Sequence, residues 1–103
     1  MRMQFQGQFQ MIPRQLMRRA GYAEFIDPRT RKVSYVRRLQ PGRFYPRFHV
    51  YIDDRDDGFV VNLHLDQKQA SYKGCNMHSG EYDSEVVMTE GERVRQVIGT
   101  MKA

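Results

Sequence analysis

The runs Phe48-His49-Val50-Tyr51-Ile52 and Phe59-Val60-Val61-Asn62-Leu63-His64-Leu65-Asp66, joined through a turn containing Asp56-Asp57-Gly58, decide how this chain folds. Both alternate with period two, the repeat of a strand with one buried face. Phe48, Val50 and Ile52 make one apolar set; Phe59, Val61, Leu63 and Leu65 make the other. A register that brings the two sets together puts His49, Tyr51, Asn62, His64 and Asp66 on the opposite face. A tight turn at Asp56-Asp57 then sets His49 across from His64. The expected strands are Arg47–Asp53 and Phe59–Asp66.

Working outward, Tyr22–Ile26 and Lys32–Leu39 read as an earlier hairpin, with Asp27-Pro28-Arg29-Thr30 as its turn and proline at the second turn position. Pro41-Gly42 ends that run, and Pro46 stands at a strand entrance, where a missing N–H does little harm. Met3, Phe5, Gly7, Phe9 and Met11 alternate with four glutamines, so residues 1–12 read as an added strand with a bend at Gly7, or as a mobile tail. Pro13 suits the first turn of a helix running to Ala20, with Gly21 as its C-terminal cap and Leu16, Met17 and Ala20 facing inward. Val87, Gly91, Val94, Ile98 and Met101 follow at steps of four and three, the stripe of an amphipathic helix. That helix starts either at Ser84 or, through a capping box with Glu92, near Thr89. Gly91 either weakens it or lets another backbone come close. Residues 67–83 lack periodicity and read as a long loop. The sum is one α+β domain: a small, mostly antiparallel sheet of four or five strands, with a short N-terminal and a longer C-terminal helix on one face.

Three blocks, Tyr45-Pro46-Arg47-Phe48-His49, Asn62-Leu63-His64-Leu65-Asp66-Gln67-Lys68 and His78-Ser79-Gly80-Glu81-Tyr82-Asp83, resemble runs in small uncharacterised bacterial proteins. The resemblance spans about residues 21–98. It implies no activity and carries over no functional residue.

The chain has 103 residues, enough to bury roughly 60–70% of its unfolded surface without staples. No apolar run approaches the roughly 20 residues of a membrane helix. A single cysteine, Cys75, forms no internal disulfide; it reads as a small, partly buried thiol and fits a cytoplasmic setting. The net charge of +5 is unevenly spread. Residues 1–47 hold ten Arg and one Lys against Glu24 and Asp27, a net of +9, whereas residues 48–103 carry −4.

That asymmetry points to an electrostatic surface. Arg14, Arg18, Arg19, Arg29, Arg31, Lys32, Arg37, Arg38, Arg43 and Arg47 are interleaved with aromatic residues, among them Tyr35 and Tyr45. Arginine neutralises phosphate and exposed rings stack on unpaired bases, a pairing that suits RNA or single-stranded DNA. The leading reading is therefore a small nucleic-acid-binding module without catalysis or cofactor of its own. A second reading is a metal-dependent hydrolase or nuclease. It would use zinc or another divalent transition metal held by His64, Asp66, His78 and Glu81, with Cys75 as a variant ligand. Against it, His64, Asp66 and Tyr82 also suit simple hydrogen bonds that pin the loop to the sheet. A third reading is a protein-interaction or homodimerising domain whose oppositely charged halves meet a partner. No catalytic triad, P-loop or dinucleotide fingerprint is recognisable.

Overall fold

A computed structural model describes residues 1–67 and 84–103. Cys75, His78, Glu81, Tyr82 and Asp83, with the loop reading of residues 67–83 apart from Gln67, lie outside the described residues. The elements are β1 (Arg2–Gln6), α1 (Pro13–Arg19), β2 (Ala23–Ile26), β3 (Val33–Arg38), β4 (Arg47–Arg55), β5 (Gly58–Asp66) and α2 (Glu85–Gly99). The strands form one sheet in the order β1-β5-β4-β3-β2, and every neighbouring pair is antiparallel. The architecture is the expected α+β.

The hairpin of β4 and β5 has the register its alternation requires. Arg55 pairs with Gly58 across the Asp56-Asp57 turn, His49 pairs with His64, and Arg47 pairs with Asp66. Phe48, Val50, Phe59, Val61, Leu63 and Leu65 are buried in one core with Met3, Phe5 and Tyr35 from the other strands. Leu16, Met17, Val87, Val94 and Ile98 come down on it from the helices. Each fully buried apolar side chain of this kind contributes roughly 1.5–3 kcal/mol of transfer free energy. Both helices therefore cover the same sheet face.

Local chemistry explains the ends of the elements. Gly21 has φ +94° just beyond α1. There the Tyr22 amide donates to the Met17 carbonyl and the Gly21 amide to the Arg18 carbonyl, the two bonds of a Schellman closure. In the β2–β3 turn, the Asp27 carboxylate accepts the backbone N–H groups of Arg29 and Thr30, which holds its pKa below the usual range. For α2, Ser84 and not Thr89 is the cap: its hydroxyl oxygen accepts the Val87 amide.

Two local expectations change. The alternating run Met3–Met11 is not one strand: β1 stops at Gln6, because Gly7 turns the chain with φ +98°. Phe9 still faces the core, stacking edge-on against Phe5 and Phe59, but it bridges to Lys102 instead of β5. At Gly91 the close approach is made by a side chain, not a backbone: the Met1 thioether lies where a Cβ would stand.

α2 also buries a charge. Glu90, only 5% exposed, accepts from the Tyr22 hydroxyl at 2.7 Å and from Arg93 at 2.8 and 2.9 Å, with Arg37 at 3.4 Å. Arg93 also donates to the Ala20 carbonyl at 2.6 Å, tying α2 to the end of α1. Burial by itself raises the Glu90 pKa. The hydrogen bonds from Arg93 and Tyr22 and the two guanidinium charges outweigh it, and hold the carboxyl below its ordinary range.

Candidate functional site

Strand parity places a second, polar set of side chains on the face that no helix of the described residues covers. Phe25 pairs with Ser34 between β2 and β3, and β4 and β5 add Arg47, His49, Tyr51, Asn62, His64 and Asp66. A line of contacts crosses this face diagonally. The Ser34 hydroxyl lies 2.7 Å from His49 Nε2, and His49 Nδ1 lies 2.8 Å from Asp66 Oδ2. The same carboxylate oxygen accepts Arg47 Nε at 3.2 Å. Burial alone raises the Asp66 pKa, but the bonds to His49 and Arg47 and their charges prevail and keep it low.

An ionised Asp66 fixes one hydrogen bond of the imidazole. Nδ1–H donates to the carboxylate, and Nε2 faces the Ser34 hydroxyl. The other contact of that hydroxyl, to the Phe25 carbonyl, is longer at 3.5 Å. Ser34 is 3% exposed and His49 8%, so the line is dry for most of its length. Both residues nevertheless line a cleft of about 330 Å³, together with Phe25, Asp27, Thr30, Lys32 and Tyr51.

Aromatic rings surround the line. Tyr51 stacks on His49 at 4.7 Å and meets His64 edge-on at 5.9 Å. Tyr51 is 42% exposed, and burial of its remaining surface, with the Asp66 charge, raises its pKa. Arg47 is walled in: its guanidinium carbon sits 4.4 Å from the Phe44 ring centroid, 4.7 Å from Tyr45 and 5.2 Å from Phe25.

The ten basic residues singled out from the sequence do not form one patch. Arg29, Arg31 and Lys32 are exposed in the β2–β3 turn, and Arg38 and Arg43 are exposed near the start of β4. Arg14, Arg18 and Arg19 are exposed on α1, in the layer on the other side of the sheet. Arg37 is drawn into the Glu90 cluster. Arg47, at 5% exposure, is committed to Asp66 and the aromatic wall, so the structure removes it from the surface expected of it. Tyr35 is likewise a core residue with no face to offer a base, whereas Tyr45 is half-buried against Arg47.

Of the residues expected to bind metal, Asp66 is engaged by His49 and Arg47, while His64 packs against Tyr51. His78 and Glu81 lie outside the described residues, and among the described residues no group of three or more His, Cys, Asp or Glu is placed to hold an ion. Among them, too, no helix is long and apolar enough to cross a membrane.

Sequence reasoning missed Ser34. Nothing in Val33-Ser34-Tyr35 marks it, and its link to His49 depends on a diagonal between strands. The available signal was parity: Ser34 alternates with Tyr35, and Tyr35 belongs to the core. Known protein families, curated proteins and solved structures offer no match to this chain.

Proposed function

We propose that this protein binds single-stranded nucleic acid, RNA or DNA, across the sheet face that no helix of the described residues covers and the basic β2–β3 turn. The observation that carries the reading is the exposed Tyr51 ring, held flat against His49 in the middle of that face. A ring immobilised by stacking offers its other side to a base at little entropic cost, and every base has a π-face to present. Phe44 adds a second exposed ring, with the Arg38 guanidinium carbon 5.3 Å from its centroid. Arg29, Arg31 and Lys32 are exposed in the β2–β3 turn, and Lys32 also lines the cleft, a basic edge for a phosphate backbone crossing the strands.

The reading is tested by fluorescence anisotropy with labelled oligo-U and oligo-dT over a salt series. Tyr51→Ala is expected to weaken binding by about 5- to 100-fold, the loss of one stacked base. Replacing Arg29, Arg31 and Lys32 together by Gln is expected to flatten the slope of log affinity against log salt by about 2. All these side chains are exposed, so circular dichroism should show the fold unchanged. Affinity indifferent to salt, or equal in wild type and Tyr51→Ala, removes the proposal.

A further inference from the structure

The line Ser34–His49–Asp66 has an order of groups that nucleic-acid binding does not need. A hydroxyl lies against one nitrogen of an imidazole, and the opposite nitrogen is held by a carboxylate. The two distances, 2.7 and 2.8 Å, both lie within the range of a nucleophile bonded to its base and a base bonded to its orienting acid. Arg47 on the same carboxylate oxygen keeps Asp66 ionised and in place. Ser34 and His49 both line the cleft, so the reactive end of the line meets a space large enough for a small molecule. We infer that Ser34 is a nucleophile and that the cleft takes small carboxylic esters, with His49 as general base and Asp66 as a positioning residue.

The chemistry balances with water as the sole co-reactant. Ser34 Oγ attacks the ester carbonyl carbon and its proton passes to His49 Nε2. The carbon–oxygen bond to the alcohol breaks, the alcohol oxygen takes that proton, and the acyl group stays on Oγ. Water then gives a proton to Nε2 and attacks the acyl carbon, and the acid leaves as Oγ regains its hydrogen. Lys32, Thr30 and Tyr51 are the cleft-lining side chains that carry donors for the oxygen on which charge develops. Phe25 gives the cleft an apolar wall for the acyl chain.

The test begins with the unaltered protein. It is treated with a dialkyl fluorophosphonate, in which the Ser34 oxygen forms a bond to phosphorus as fluoride departs with the proton. Peptide mapping by mass spectrometry is expected to place the adduct on Ser34. Labelling is expected to be lost in Ser34→Ala and to slow about 10²- to 10⁴-fold in Asp66→Asn, whose amide favours the wrong tautomer. Turnover of p-nitrophenyl acetate should fall in parallel. The inference is overturned by no adduct at Ser34 on prolonged exposure, or by an adduct confined to Lys32 or Tyr51. It is equally overturned if the urea-unfolded chain is labelled as fast as the native one. Because the wild-type measurement stands alone, a variant that fails to fold does not rescue it. Oligonucleotide binding is read separately, so either idea can fail without the other.

Discussion

Gly58→Ala is expected to destabilise the protein by about 3–5 kcal/mol, among the largest effects of a single methyl group. Gly58 opens β5 with φ +156°, and a Cβ there would run into the Phe5 carbonyl oxygen, with the Phe5 carbonyl carbon and Gln6 Cα both at 2.9 Å. Those atoms are backbone, so no side-chain rotation relieves the clash. β1 has to move away from β5, which strips Phe5 from its stack on Phe59 at 5.2 Å and uncovers Met3. Gly42→Ala is the control: its φ is +77°, but nothing stands within 4 Å of the added carbon. It should cost only about 1 kcal/mol, through the backbone conformation alone. Urea titrations followed by circular dichroism give both numbers. A Gly58→Ala midpoint close to wild type would show that the two strands do not approach as described.

The second large effect belongs to Glu90. Glu90→Ala is expected to cost about 3 kcal/mol, the low end for breaking a buried pair, because Arg93 is partly exposed and can recover water. Tyr22 and the Ala20 end of α1 lose their common anchor at the same time. The sign of the pH dependence follows from linkage. The folded pKa values of Glu90 and Asp66 are both depressed below their unfolded values near 4.3 and 3.9. Their contribution is therefore fully present above about pH 5 and is lost as pH falls through the folded values. Thermal midpoints recorded from pH 7 to pH 3 should fall steeply at the acid end in wild type and less steeply in Glu90→Gln. At the other extreme Tyr22 acts in the opposite sense. Burial and its bond to Glu90 raise its pKa, so its contribution holds below about pH 10 and declines as pH rises beyond that. An acid limb as steep in Glu90→Gln as in wild type would contradict the Glu90 assignment.

The fold was legible wherever a periodic pattern met unambiguous punctuation. The two hairpins followed from alternation plus Asp27-Pro28 and Asp56-Asp57-Gly58, and the pairing of His49 with His64 followed from the short second turn. The partner of β1 was not legible, because alternation shows which face a strand buries and not which edge it joins. Glu90 was hidden for a related reason. Its neighbours Val87 and Val94 mark the buried stripe, but a charge beside that stripe reads as solvent-facing until Tyr22, Arg37 and Arg93 are seen to converge on it. For the site, parity put His49, His64 and Asp66 on one face. What parity left out is that Asp66 meets His49 on the diagonal while Arg47, directly opposite, bonds the same carboxylate oxygen. Basic residues counted along the chain suggested one surface. In three dimensions α1 takes three of them to the far side of the sheet, and Arg47 disappears beneath aromatic rings.

The strand order has a consequence for how the molecule comes apart. β2 to β5 are joined in succession, so each of their pairings is made by sequence neighbours and closes a short loop. β1 is different: it reaches β5 across the whole intervening chain, and the residues after it are bridged to the segment around Lys102. Contacts between distant segments are entropically costly to form and are gained late. Amide hydrogens of β1 and of the Phe9–Lys102 bridge should thus exchange through a shared partial opening, at a free energy below that of the four-stranded meander, which opens only with the whole.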